Sequence, residues 1–444
     1  MNLRSLKEIF QYPTALAGVI IIFLLIGLSI YTVITIPYSK AIELWRGGET
    51  VWYQNPKTAA PVWTNWFRKE KLPETIIIKN DDSSVVSEVK DSGSGKLMNY
   101  TYTINYNYDG FPDDFAIYFT SKFTNKAPFV GVIWVTPDGR KIRLSNFALK
   151  DKMAYRVSQD QKLSNKLAKT FPHVGLLAGP KYKDPTPLKG TYQLIIEGTT
   201  FEPDSSYTAE VVLYGKLAGW AGTDNLRRDL GVALLWGTPI ALSFGLLAAV
   251  GTSLSQMIIA GVSTWFGGWV DQLIQRITEV NLVLPFLPIL IMIGTFYTRS
   301  IFVILGSVVL LSIFGAGIKT YRAVFMQIKE SPYIEAARSY GAGNFRIIFS
   351  YMIPRLIPLL IPNFIVQIPS YVFLEASLAV LGLGDPTLPT WGKMIDDSYA
   401  YGALFQGLYY WVLEPSVLLM ITGLAFSVVG YAVDRIFNPR LRGQ

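Results

Sequence analysis

Apolar residues gather into long runs at the start and in the second half of the chain, with a polar, alternating stretch between them. A bilayer core of about 30 Å takes roughly 20 apolar residues as a helix. Six runs reach that length, over residues 14–36, 232–262, 273–297, 301–324, 356–383 and 410–432. Pro285, Pro288, Pro362 and Pro369 fall inside them. Proline is tolerated in a membrane helix where neighbours satisfy the freed carbonyl, so these runs are expected to pack against one another or against a partner. The first run follows a basic start (Arg4, Lys7). It is longer than a signal-peptide core and lacks a small-residue cleavage site, so it reads as a retained signal anchor.

The stretch over 38–228 has a different period. Tyr100, Tyr102, Ile104, Tyr106 and Tyr108 alternate with polar residues, the period of a half-buried strand. Residues 130–135 and 141–144, joined through Pro137-Asp138-Gly139, predict a hairpin. Further strands are expected over 75–79, 115–120, 192–197 and 207–214. Short strands at this spacing predict a sandwich, and the segment is long enough to bury a core of its own. Its start is rich in aromatics (Trp45, Trp52, Tyr53, Trp63, Trp66). These read as packing plus an interfacial belt, or alternatively as a surface for carbohydrate stacking or partner docking. Asn99-Tyr100-Thr101 is a glycosylation-type triplet, common by chance.

Basic residues orient the chain. With the N-terminus inside, the cytoplasmic side holds Arg4, Lys7, Arg276, Lys319, Arg322, Lys329, Arg338, Arg346, Arg355, Arg435, Arg440 and Arg442, while short outer loops hold only Arg299 and Lys393. Six crossings return the chain to the same side, so both termini are expected inside and 38–228 outside. A domain of that length translocates largely regardless of its charge.

Composition supports this picture. Half the residues are hydrophobic and only 16% are charged, against about 25% in an ordinary soluble domain. The net charge of +8 therefore reports topology, and no nucleic-acid partner is expected. The chain has no cysteine, which excludes thiolate metal sites and thiol nucleophiles, and one histidine, His173, which reads as a surface or packing residue. No G-x-x-x-x-G-K-[ST] phosphate loop is present. No catalytic, cofactor or metal residue is expected in this chain.

One polar loop, 329–354, separates the fourth and fifth runs. Pro332 opens a short helix over 332–340, Gly341 and Gly343 form a turn, and 345–353 reads as a second amphipathic stretch. Glu335 and Arg338 are spaced to pair. Ala336 and Ala337 suggest a small face that fits a groove. Gly341 suits a helix-terminating position that demands positive φ. Within the apolar runs, Glu375 is either a functional carboxylate or one hydrogen-bonded between helices near the outer mouth. Glu279 and Asp434 read as interfacial, and Gly382 and Gly384 as a helix end or, alternatively, a filter.

These residues carry a resemblance. Glu335-Ala336-Ala337, with Gly341 and Pro354 downstream, resembles the cytoplasmic "EAA" loop of ABC importer permeases. Gly222-Thr223-Asp224-Asn225-Leu226-Arg227-Arg228-Asp229 resembles the G-T-D-x-x-G-R-D segment that leads into the second helix of dipeptide/oligopeptide permeases. Gly267-Gly268-Trp269-Val270-Asp271 resembles their G-G-x-x-D turn. The stretch from Leu374 to Gly384, followed by Pro389-Thr390-Trp391-Gly392, resembles their E-A-S-L-S-F-L-G-L-G…P-x-W-G stretch. Asn438-Pro439-Arg440-Leu441-Arg442 resembles their D-P-R-L-R tail. The ordered set covers about 220–444 and is similar to the second, C-type permease of such importers. Three departures stand out: Arg227 replaces a glycine, Tyr351-Met352-Ile353-Pro354 stands where the general pattern reads I-x-L-P, and the outer segment is far longer than the family's usual loop.

The resemblance implies an α-helical polytopic membrane protein of six transmembrane helices, like the permeases of type I ABC importers, and the patterning of 38–228 adds an inserted β-rich, sandwich-like extracellular domain. The expected division is 1–37 (N-terminus and first helix), 38–228 (outer domain) and 229–444 (five-helix core with the coupling loop 329–354). It implies a plasma-membrane permease that carries oligopeptides or oligosaccharides. The implied partners are a homologous permease subunit, two ATPase subunits that hold ATP and Mg, an extracellular solute-binding protein and membrane lipid. Glu335, Ala336, Ala337, Arg338, Gly341 and Pro354 would couple to the ATPase. Glu375, Gly382, Gly384 and Trp391 are pathway or gate candidates. The outer domain would be a docking platform for the binding protein or a cap over the pathway. A membrane-anchored receptor that uses its outer β-domain is the alternative. A stand-alone secondary transporter would require internal repeats, and none is evident.

Overall fold

A computed structural model describes residues 13–91, 95–167, 171–179 and 186–437. The chain divides into a helical unit, running to Arg46 and again from Val232, and a β-rich unit, Gly47–Gly231.

Among the described residues, the β-rich unit has nine strands in two antiparallel sheets. The strands are β1 (Ile76–Ile78), β2 (Val85–Asp91), β3 (Lys96–Tyr106), β4 (Asp114–Lys122), β5 (Phe129–Val135), β6 (Lys141–Ala148), β7 (Lys152–Arg156), β8 (Gly190–Thr199) and β9 (Ser206–Tyr214). One sheet runs β1-β9-β4-β7 and the other β2-β3-β8-β5-β6. The expected alternation is present: Tyr100, Tyr102, Ile104 and Tyr106 of β3 are buried in one apolar core with Val130, Val132 and Trp134 of β5. Tyr108 lies past the strand end. Burying tyrosine and tryptophan requires partners for their polar atoms. The Tyr102 hydroxyl donates to the Ala209 carbonyl at 2.9 Å, and the Trp134 indole donates to Leu176 at 3.1 Å. Gly139 turns the β5–β6 hairpin with φ 84°. The Asn99 triplet lies on β3, paired on both sides by β2 and β8.

In the helical unit, α1 (Pro13–Thr35), α2 (Leu230–Phe266), α8 (Asn344–Leu383) and α10 (Tyr409–Phe437) are each long and apolar enough to cross a membrane. The third and fourth apolar runs are not single helices. The third breaks into α3 (Gly268–Val283) and α4 (Phe286–Phe296), bent by 75°, and the fourth into α5 (Ile301–Ser312) and α6 (Gly317–Lys329), bent by 48°. The described residues thus hold four candidate spans, or six if each bent pair is one. Leu284 is extended because it precedes Pro285, which disfavours helical backbone at the residue before it. The expected second amphipathic stretch, 345–353, forms the first turns of α8, with a π-helical segment at Ile347–Met352 that buries Ile347, Ile348 and Met352 and leaves Phe349 and Ser350 exposed. Small residues bring helices close. A β-carbon on Gly18 would come within 2.9 Å of the Ala425 carbonyl of α10, and one on Gly430 within 2.6 Å of Val366 of α8.

Candidate coupling site and polar groove

Between α6 and α8 the chain forms an eight-residue helix, α7 (Pro332–Ser339), with proline in its first turn. Gly341 stops it at φ 78°, and the Gly341 and Ala342 amides close back onto Arg338 and Ala337 at 2.9 and 3.0 Å. This is a glycine-terminated cap of the kind its position implied. Ile334 and Ala337 face inward, and Ile334 joins a core with Met257 and Trp265 of α2, Phe325 of α6 and Ile348 of α8. Glu335, Ala336, Arg338, Ser339 and Tyr340 are exposed. Two expectations are corrected here. Ala336 and Ala337 do not form one small face, because consecutive helical residues point about 100° apart. Glu335 and Arg338 do not form an ion pair. The Arg338 guanidinium instead lies over the Trp265 ring, 4.4 Å from its centroid. Pro354 is an exposed residue two positions past the π-helical segment.

The helix is wired to the turn between α2 and α3. Lys329, at the end of α6, donates to the Thr264 and Trp265 carbonyls at 2.8 and 3.1 Å. These belong to the last turn of α2, where carbonyls lack helical partners and a cation is favourable. Gly267 and Gly268 make the turn with φ of 63° and 51°. Three residues on, Asp271 accepts from Arg322 Nε at 2.8 Å and from Nη2 at 2.5 Å, and also from the Ser263 hydroxyl. The G-G-x-x-D motif therefore has a structural purpose: its glycines permit the turn, and its aspartate grips α6 directly upstream of α7. Arg322, Lys329, Ser263 and Trp265 were not candidates from sequence. Arg322 and Lys329 entered only as topology-setting charges, since the partner of each lies some fifty or more residues away.

A cavity of about 390 Å³ opens where the spans break, and its polar lining includes Thr252, Gln256, Asn281, Ser312, Gln367 and Tyr371. Irregular backbone at membrane depth is tolerated where it is buried in protein or lines such a cavity. The Gln256 amide donates to the Ser312 carbonyl at 2.7 Å, and Asn281 donates to Leu311 at 3.0 Å. β-Carbons on Gly315 and Gly317 would fall 2.8 and 2.0 Å from the Gln256 amide. The absence of side chains there is what lets the amide reach the broken backbone. Polar residues inside apolar runs were the available signal for this groove.

The other candidates lie elsewhere. Glu375 of α8 is buried and hydrogen-bonded to Thr390, and it lines a small crevice with Arg299 and Asp385. Gly382 has φ 80° inside the π-helical end of α8, and Gly384 follows in extended backbone. Trp391 opens α9 (Trp391–Tyr401) fully buried, its indole donating to the Leu234 carbonyl at 2.9 Å. Glu279 lies 3.1 Å from Arg276. His173 is partly buried and stacks on Phe171.

The segment before α2 keeps its turn despite the missing glycine. Arg227 itself takes φ 66°. Its guanidinium sits 4.6 Å from the Tyr214 ring centroid and donates to the Asn55 carbonyl. Asp224 is buried and accepts from Arg228 Nε and from the Leu226 and Arg228 amides, while Asp229 accepts from the Gly231 amide in the first turn of α2. Arg4, Lys7, Arg440, Arg442 and the 438–442 tail motif lie outside the described residues.

Broken apolar spans around a polar groove, with a short exposed helix wired to their inter-helix turn, define a membrane transport permease. Residues 242–443 match the family described as the binding-protein-dependent transport system inner membrane component. The dipeptide transport system permease protein DppC of Bacillus subtilis is 30% identical over 224 residues, covering 50% of this chain and 69% of the relative. The glutathione transport system permease protein GsiD of Pectobacterium atrosepticum is 30% identical over 238 residues (51% and 74%), and the oligopeptide transport system permease protein OppC of Bacillus subtilis is 29% identical over 225 (50% and 72%). The chain belongs to this family of ABC importer permeases and is similar to its peptide-transporter C-type members.

Proposed function

We propose that this chain forms one half of the membrane pathway of an ATP-driven importer for peptides, pairing with a homologous permease. Two ATPase subunits grip α7 from the cytoplasm through its exposed face, Glu335, Ala336 and Arg338, with Gly341 fixing where the helix ends. Ala337 anchors the helix inward, and Pro354 lies in α8, the helix that follows. The β-rich unit lies outside, and both termini lie inside. A solute-binding protein delivers the substrate there. The observation that carries this reading is the wiring of α7: Arg338 on Trp265, Lys329 on the end of α2 and Asp271 on Arg322 make α7 and the α2–α3 turn move together. Displacing α7 when the ATPases close then biases the broken spans between inward- and outward-open arrangements. The groove lined by Thr252, Gln256, Asn281 and Gln367 offers amides and hydroxyls, a chemistry that suits peptide groups. The names of the relatives, dipeptide, glutathione and oligopeptide permeases, favour the same class.

The cysteine-free sequence makes a direct test available. A single cysteine at Glu335 should cross-link to the ATPase subunits in the assembled transporter, with a yield that changes when nucleotide is trapped. A cysteine at Glu88 of β2 should react with a membrane-impermeant reagent added outside. Failure of the first removes the coupling assignment, and failure of the second removes the orientation.

A further inference from the structure

The aromatic residues at the start of the β-rich unit separate into two classes. Trp45 is buried, and Trp52 and Tyr53 are half-buried. Trp66 and Phe67 are 79% and 82% exposed, and Trp63 and Trp220 beside them are also exposed. This exposure is held in place by structure. Trp63, Trp66 and Phe67 lie on the short 3₁₀ helix Val62–Phe67, whose three-residue period stacks Trp63 and Trp66 on one side. Asn65, buried in the same turn, exchanges two hydrogen bonds with Leu72, at 3.0 and 3.1 Å, and holds the turn rigid. The Trp63 indole donates to the Trp220 carbonyl at 3.0 Å and meets Phe67 edge to face.

Two further observations name the partner. Trp220 packs so closely on Gly231 that a β-carbon there would lie 2.7 Å from its indole nitrogen. Gly231 is the second residue of α2, a helix long and apolar enough to cross a membrane. Trp220 therefore lies against the first turn of α2. Directly after it, Arg68 and Lys69 are exposed. Rigid indoles and a phenyl ring beside exposed cations match the bilayer interface, where aromatic rings sit at headgroup level and basic side chains reach lipid phosphates.

We propose that Trp63, Trp66, Phe67 and Trp220 form an interfacial anchor that seats the β-rich unit on the lipid surface, with Arg68 and Lys69 on the phosphates. The anchor depends on α2 crossing the membrane and not on the identity of the transported solute.

Depth measurement tests this in the full chain. Single spin-labelled cysteines are placed at Trp66, Phe67, Lys69 and Glu88, and the protein is reconstituted in bilayers of phosphatidylethanolamine and phosphatidylglycerol. Labels at 66 and 67 should collide several-fold more with oxygen, relative to a water-soluble nickel chelate, than the label on β2. The label at 69, which leaves both aromatics in place, should report headgroup depth. Aqueous behaviour at 67 and 69 equal to that at 88 overturns the anchor. So does shielding of 66 and 67 from both reagents only when the other transporter subunits are present, which would assign the patch to a protein partner.

Discussion

Asp271 accepts both arms of the Arg322 guanidinium, at 2.8 and 2.5 Å, and so joins the first turn of α3 to α6 across fifty residues of chain. A bidentate pair fixes orientation as well as distance, which a single charge contact does not. The pair is partly exposed, so its worth lies in geometry more than in raw Coulomb energy.

Asp271→Asn and Arg322→Lys should each lower thermal stability of the purified chain. A double-mutant cycle between them should give a coupling energy of about 1–3 kcal/mol. Uptake should fall further than ATP hydrolysis in the assembled transporter. A cycle that closes at zero would mean that the contact transmits nothing.

Gly341 occupies left-handed backbone, where a side chain costs about 1–2 kcal/mol. Gly341→Asp should shift the end of α7 and uncouple ATP hydrolysis from uptake, with membrane insertion intact. Ala336→Glu, on the exposed face, should uncouple in the same way without backbone strain. Wild-type uptake in both, measured in proteoliposomes beside ATPase rate, would refute the coupling role.

Arg227 bears a comparable strain and offsets it with its contacts to Tyr214 and Asn55. Arg227→Ala keeps the strained β-carbon and loses the contacts, whereas Arg227→Gly loses both. The glycine variant should be the more stable of the two by about 1 kcal/mol, read by denaturant melting. The reverse order would mean that the positive φ carries no cost there.

The Glu202 carboxylate accepts from the Thr124, Asn125 and Lys126 amides at 2.8–2.9 Å. Those amides hold it below its ordinary value. A depressed carboxylate contributes stability that is complete above its unfolded-state value, near 4.5, and is lost as pH falls through the lower folded value. Glu202→Gln should therefore destabilise the β-rich unit at neutral pH and flatten its acid limb. Melting curves parallel to wild type from pH 7 to 3 would contradict this.

Much of the architecture was legible because membrane and sheet periods are local. Alternation along 100–106 marked the inward face of β3, and Pro137-Asp138-Gly139 marked the turn of the β5–β6 hairpin. The edge strands β2 and β7 were missed: β2 is exposed along nearly its whole length and leaves no alternation, and β7 has only five residues. The helix ahead of Gly341 was readable from Pro332 and the glycine. The breaks in the third and fourth spans were not, because apolar content continues through them.

The order of apolar runs, the alternating middle segment and the motif-bearing loop are fixed by the sequence, since each depends on neighbours a few residues apart and on the cost of placing polar backbone in lipid. Tertiary structure alone decided that Arg338 stacks on Trp265 in place of pairing with Glu335, that Arg322 grips Asp271, that Gln256 fills a broken span and that Trp66 and Phe67 are left bare. Those outcomes depend on which side chains from distant segments arrive within about 3–5 Å of one another, where hydrogen bonding and ring contact begin, and a one-dimensional pattern does not encode that meeting.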